Sequence, residues 1–155
     1  MKFTSQEEYG LRCLLAIARN TGGFATIGGI AEIESLSPAY VAKLMRILRQ
    51  GGLVDSTRGQ NGGYRLTRTP EAIDMADVMA ALGGRLYSQD FCANHTGTAR
   101  ACVHTGDCSS RSLWTVLDDM VARALRRTTL RDLLCTEPAA ARRHGELSMP
   151  ATHAV

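Results

Sequence analysis

A chain of 155 residues with 45% hydrophobic content has room for one cored domain, or a small domain with an appendage. No apolar run approaches the length of a membrane span, and the opening MKFTSQEEYG is polar where a signal peptide has its apolar centre, so a cytoplasmic protein is expected. The net charge is only +3, but residues 1–70 carry nine Lys or Arg against five Asp or Glu, and residues 71–155 carry nine against ten. The excess is concentrated in residues 37–68, where Lys43, Arg46, Arg49, Arg58, Arg65 and Arg68 face Asp55 alone. A localised basic surface is what a polyanion partner requires; on charge alone, a solvated basic face is the alternative.

Thr4 can cap a first helix, with Glu7 completing a capping box. Tyr9, Leu11, Cys13, Leu14, Leu15, Ile17 and Ala18 make that helix apolar on more than one side, so it should be buried as it runs to about Asn20, with Cys13 in the core. Thr21, Gly22 and Gly23 end it. Thr26 can cap a short second helix, roughly Ile27 to Glu34, followed by a turn at Ser35 and Leu36. Ser37-Pro38 opens a third helix, with Ser at the cap and Pro at the first helical position. Val41, Leu44, Met45 and Leu48 share one face of it. The opposite face carries Ala39, Lys43, Arg46 and Gln50, with Tyr40 at its edge, and Gly51-Gly52 stops the helix.

Two short helices joined by a tight turn, the second basic outside, read as helix-turn-helix. A strand candidate over residues 53–57 follows, then the turn Arg58-Gly59-Gln60-Asn61-Gly62-Gly63 and a return strand over 64–66. A basic hairpin directly after a recognition helix is a wing, and Arg58 is placed to enter a narrow minor groove. The DNA-binding candidates are Ser37, Ala39, Tyr40, Lys43, Arg46, Arg58, Gly62 and Gly63. Asp74 can cap a fourth helix to about Leu82, with Met75, Val78, Met79 and Leu82 apolar.

The stretch FCANHTGTARACVHTGDCSSR, residues 91–111, has no apolar periodicity and holds Cys92, Cys102 and Cys108. A long unpatterned loop in a small domain usually has a purpose. In the cytoplasm clustered cysteines favour metal or redox chemistry over structural disulfides. The spacing Cys92-x9-Cys102-x5-Cys108 lacks the CxxC knuckles typical of zinc sites. Iron–sulfur clusters are usually held by cysteine thiolates, though other residues can replace one. The fourth ligand is then His95, His104, Asp107, a residue elsewhere in the chain, or one from a second subunit. Beyond the loop, Ser109 or Ser110 can cap a long helix whose Leu113, Val116, Leu117, Met120, Val121, Ala124 and Leu125 recur at spacings of three and four. A second copy of the same helix is the economical partner for that stripe, giving a homodimer; packing on its own domain is the alternative. Thr128 and Thr129 cap a final short helix from Leu130 to about Leu134, with Cys135 at its end as a bystander. Residues 136–155 lack a pattern and are expected to be mobile.

The chain resembles the bacterial winged-helix iron–sulfur regulators of the IscR, NsrR and RirA type. The resemblance covers residues 1–134 and rests on MKFTSQEEYGLRCLLAIA, IAEIESLSPAYVAKLMRILRQGGLV, the wing STRGQNGGYRL, the three cysteines and the closing TTLRDLL. It implies a dimeric transcription regulator sensing iron–sulfur status, iron, nitric oxide or redox state through a 2Fe-2S or 4Fe-4S cluster on Cys92, Cys102 and Cys108. Two positions depart from the IscR pattern. The first cysteine gap is longer, and Arg111 stands where IscR has its ligating histidine. Other members borrow an acidic residue near the start of the partner's first helix, and Glu8 matches that place, ahead of His104 or His95. By itself, Glu8 is an ordinary carboxylate near a helix N-terminus.

The expected fold is mainly α: a winged helix-turn-helix with a two-stranded β-wing (1–84), a cysteine loop (85–111), a dimerisation helix with a short closing helix (112–135), and a disordered tail (136–155). The expected function is DNA-binding transcription regulation with a double-stranded operator and a second copy as partners. A cluster-free thiol-redox regulator and a zinc-containing regulator are the alternatives. An enzyme is not expected: nucleophile and paired-carboxylate motifs are missing, and GQNGGY lies between basic strands rather than leading into a helix.

Overall fold

The computed structural model describes residues 3–57, 59, 62–84, 87, 90–104 and 106–135. Arg58 of the wing and the 136–155 tail lie outside the described residues. Helix α1 (Ser5–Arg19) opens as its sequence requires: the Glu7 amide donates to Thr4 Oγ1 at 3.2 Å, and the Thr4 amide donates to Glu7 Oε2 at 2.6 Å. It is the central helix, and α2 (Ile27–Glu34), α3 (Pro38–Gln50) and α4 (Met75–Leu82) all pack against it. Cys13, Leu14, Ala16 and Ile17 are buried there. Cys13 is a core residue, and burial pushes its thiol up to about 11. Gly10 lets α1 approach α4: a Cβ there would stand 2.3 Å from Leu82 Cδ2.

Thr26 caps α2 by accepting from the Gly29 amide at 3.1 Å, and Ser37 caps α3 by accepting from the Tyr40 amide at 3.2 Å. Between them Ser35 adopts a left-handed conformation, φ 54°, which makes the tight turn of the helix-turn-helix. Val41, Leu44, Met45 and Leu48 of α3 are buried, as their spacing predicts. Strands β1 (Val54–Thr57) and β2 (Gly63–Leu66) pair antiparallel, with Val54 opposite Leu66 and Thr57 opposite Gly63. Leu53, expected within the strand, instead fills the core just before it. Ala25 and Tyr64 exchange two backbone hydrogen bonds at 2.8 Å, fastening the hairpin base to the segment before α2. The result is a mainly α winged helix-turn-helix.

The segment read as an unstructured loop contains one helical turn, α5 (Asp90–Asn94). The turn is held locally: His95 stacks on Phe91 at 4.1 Å, and its Nδ1 lies 2.8 Å from the Phe91 carbonyl oxygen. Helix α6 (Ser109–Arg127) starts with Cys108, not Ser109 or Ser110, at the cap position. The Ser110 hydroxyl is 3.2 Å from the Cys108 sulfur. Helix α7 (Leu130–Leu133) returns to the first half, with Met75 N donating to Thr128 O and Leu130 N to Ile73 O, both at 2.8 Å. Leu130 is fully buried in the same core as Leu14 and Leu48. Complete burial of a side chain of this size stabilises by about 1.5–3 kcal/mol. No helix among the described residues is long and apolar enough to cross a membrane.

Candidate nucleic-acid interface and cysteine site

The outward face of α3 presents Ala39, Lys43 and Arg46, all exposed. Tyr40 is half-buried because its ring meets the Tyr9 ring of α1 edge-on, 6.0 Å between centroids and 82° between planes. The basic residues of this region divide by what they touch. Arg49 Nη1 donates to Ser56 Oγ at 3.2 Å, tying the recognition helix to the wing. Arg65 lies 4.0 Å from Asp55 across the hairpin, and Arg68 pairs with Asp77 at 2.8 Å. Lys43 and Arg46 have no hydrogen bond or ion pair among the described residues. They are the cations available to a phosphate or a base edge. Gly62 and Gly63 shape the wing. A Cβ on Gly62 would meet the carbonyl oxygens of Thr57 and Gly59 at 2.7 Å, and one on Gly63 would meet the Ala25 oxygen at 2.9 Å.

The basic face connects to the start of α1. Glu8 is exposed, one helical turn before Arg12. Arg12 Nε meets Glu34 Oε2 at 2.6 Å, and its guanidinium lies 5.4 Å from the Tyr9 ring centroid. The hydrogen bond to Glu34 raises the Arg12 pKa against the desolvation that lowers it, and the charges of Glu34, Glu8 and Tyr9 add to the rise. Glu34 itself is 9% exposed at the end of α2. The sequence reading missed this pair. Its signal was a glutamate whose helical neighbours Ile30 and Ala31 are core residues.

Cys92, Cys102 and Cys108 are all half-buried free thiols. Cys92 sits in α5, and its sulfur is 3.7 Å from the Tyr87 hydroxyl. Hydrogen bonding to Cys92 raises the Tyr87 pKa, as do burial and the charges of Cys92 and Cys108, while Arg111 opposes them. Cys92 and Cys108 therefore share the surroundings of one phenol. The Cys108 thiol is held below its ordinary value, first by the Ser110 hydroxyl and then by the Arg111 amide. His95 is engaged with Phe91, while His104 and Asp107 are exposed. Among the described residues, no three His, Cys, Asp or Glu side chains are gathered closely enough to hold a metal ion. The donor chemistry fits an iron–sulfur centre: three unoxidised thiols on one segment, one of them biased toward thiolate. The fit is of donor type only, since metal sites are rarely preformed without their metal.

This fold, with two cations on the outer face of its second short helix that have no partner among the described residues, defines a winged helix-turn-helix DNA-binding transcription regulator. Residues 3–136 match the family model described as "Rrf2: Iron-dependent Transcriptional regulator", and the chain belongs to that family. It is 32% identical over 154 residues to Protein rrf2 of Nitratidesulfovibrio vulgaris, covering 99% of this chain and 100% of that protein. It is 32% identical to the HTH-type transcriptional regulator CymR of Bacillus subtilis, covering 86% of this chain and 89% of that one. The solved structure of that protein, titled the global cysteine regulator, superposes with a TM-score of 0.66 at 30% identity, covering 86% of this chain and 96% of its own. The structure of T. potens IscR matches with a TM-score of 0.66 at 27% identity, covering 97% and 93%. The relatives are transcription regulators, and this chain is not an enzyme.

Proposed function

We propose that the chain is a homodimeric regulator that senses iron–sulfur, iron, nitric oxide or redox status through a cluster held by Cys92, Cys102 and Cys108, with Glu8 of the partner subunit as fourth ligand. The observation that carries the reading is the set of three free, half-buried thiols on the segment between the winged helix and α6. The named likeness to IscR and the family description as iron-dependent support it. The cluster would supply a centre whose charge and ligation change with redox state or with small molecules. His104 is the alternative fourth ligand.

The chain's own residues account for the rest. Leu113, Val116 and Met120 leave an apolar face of α6 in solvent, while Val121, Ala122 and Leu125 line the side toward α4. That uncovered face suits a second copy of α6. A dimer places two recognition helices for successive major grooves, about 34 Å apart or a multiple of it. Gly62 and Gly63 belong to the wing that follows Ser37, Ala39, Tyr40, Lys43 and Arg46 along the DNA, and Arg58 is a further DNA-binding residue proposed from the sequence. Glu8 stands beside Tyr9, and Tyr9 meets Tyr40 of the recognition helix, so a shift in the first turns of α1 bears on the reading head.

The test is anaerobic purification, visible absorption, and operator binding with and without cluster. A coloured protein whose DNA affinity changes on cluster loss is expected; a colourless protein with full, iron-independent binding would refute the cluster. A second reading keeps the DNA binding and replaces the cluster with thiol oxidation among Cys92, Cys102 and Cys108. It is favoured by the likeness to Staphylococcus aureus CymR, whose structure is titled as an oxidized form. Iron and sulfide analysis separates the two, and zinc analysis settles a structural zinc ion.

A further inference from the structure

We infer that Tyr87 is a positioning residue of the cysteine site: its phenol donates a hydrogen bond to the Cys92 sulfur, and the buried carboxylate of Asp118 anchors it there. Two contacts hold this residue, one through its backbone and one through its hydroxyl. The Tyr87 amide donates to Asp118 Oδ1 at 3.2 Å, and the hydroxyl stands 3.7 Å from Cys92 Sγ. The ring packs on Phe91, 5.4 Å between centroids, and Phe91 in turn lies 6.3 Å from Trp114 of α6. Tyr87 thus joins the end of the winged helix, the turn that carries Cys92, and the helix that follows Cys108.

Asp118 is 5% exposed on a helix whose Leu113, Val116 and Met120 are each more than half exposed. Burying a carboxylate while leaving apolar side chains in water is costly unless the carboxylate meets donors. Holding the Tyr87 backbone supplies one. At the sulfur the direction of the bond follows from the chemistry. A ligating cysteine has lost its proton, so the phenol O–H is the donor and the sulfur the acceptor. Hydrogen bonds to ligand sulfur tune a cluster's reduction potential, and groups around the ligands orient them. A ring serving only as packing would need no hydroxyl, and Phe in its place would serve equally.

The inference rests on the cluster reading for its functional meaning but not for the contact itself. The experiment is Tyr87→Phe in the full chain, which keeps the ring and its packing. In cluster-loaded protein, the variant is expected to move the midpoint potential to a more negative value and the sulfur-to-iron charge-transfer band to longer wavelength. An unchanged potential and band in a variant with full iron and sulfide content would overturn the inference. If wild-type protein takes up no cluster, the cluster reading falls, and alkylation of the metal-free protein by iodoacetamide decides the contact. Loss of the hydroxyl that stands against the sulfur is then expected to change the rate of Cys92 alkylation about threefold, with Cys102 unchanged. Equal rates at Cys92 in the two proteins would overturn it.

Discussion

Replacing Val116 and Met120 with lysine should separate the protomers. Leu113, Val116 and Met120 are 54%, 54% and 56% exposed in the single chain. Full burial of such a side chain is worth about 1.5–3 kcal/mol, so covering the exposed half contributes about 1 kcal/mol each. Three residues on each of two symmetric protomers contribute about 6 kcal/mol, before the cost of association. Val116→Lys with Met120→Lys removes about 4 kcal/mol of that, a rise in the dimer Kd of about a thousandfold, and adds like charges facing across the symmetry axis. Sedimentation velocity over a concentration series measures the shift, with circular dichroism to verify the fold. The face is solvent-exposed in the protomer, so helical content should not change. A double variant that sediments as a dimer over the same concentrations as wild type would refute the placement of the interface on this face.

Three further outcomes follow from the geometry. Lys43→Ala and Arg46→Ala should each weaken operator binding about tenfold and lower the salt slope by about one, measured by fluorescence anisotropy, without changing the melting temperature. Gly10→Val puts side-chain carbon against Leu82, which stands 2.3 Å from the Cβ position, and should cost about 1–3 kcal/mol, lowering the melting temperature by several degrees. The Cys13 thiol is held near 11 by burial, above the ordinary value of 9.0. Its raised folded value means the stabilisation is complete below about 9 and is lost as pH rises through about 11. Thermal melts from pH 8 to 11 should therefore fall more steeply for wild type than for Cys13→Ala, and parallel curves would remove this residue as the cause.

The winged helix was legible in the sequence because its determinants are local. Thr4 with Glu7, Thr26, Ser37-Pro38 and Asp74 each satisfy backbone amides a few residues away, and those hydrogen bonds are present. Apolar spacing in α3 and α4 sorted buried from exposed positions for the same reason. The long helix was only half legible. Its stripe, read as one surface, divides into a face toward α4 at Val121 and Leu125 and an open face at Leu113, Val116 and Met120. Periodicity reports apolar positions but not which neighbour covers them. The cysteine segment was least legible, since the turn of α5 holds Phe91 against His95, a contact that no apolar stripe in the sequence announces. Tyr87 and Asp118 were missed because their partners lie five and 31 residues away in a segment without pattern. A retrospective signal exists for Asp118 alone: it stands three and seven residues before Val121 and Leu125, a charge on the packed side of the helix.

Native mass spectrometry of anaerobically isolated protein tests the central claim most directly, because protomer count and inorganic content are read from one mass. A dimer whose mass exceeds two polypeptides by iron and sulfide, and which loses that increment when Cys92, Cys102 and Cys108 are replaced by serine, is the predicted result. A dimer at the polypeptide mass alone, or one carrying only zinc, would contradict the iron–sulfur account while leaving the DNA-binding fold intact.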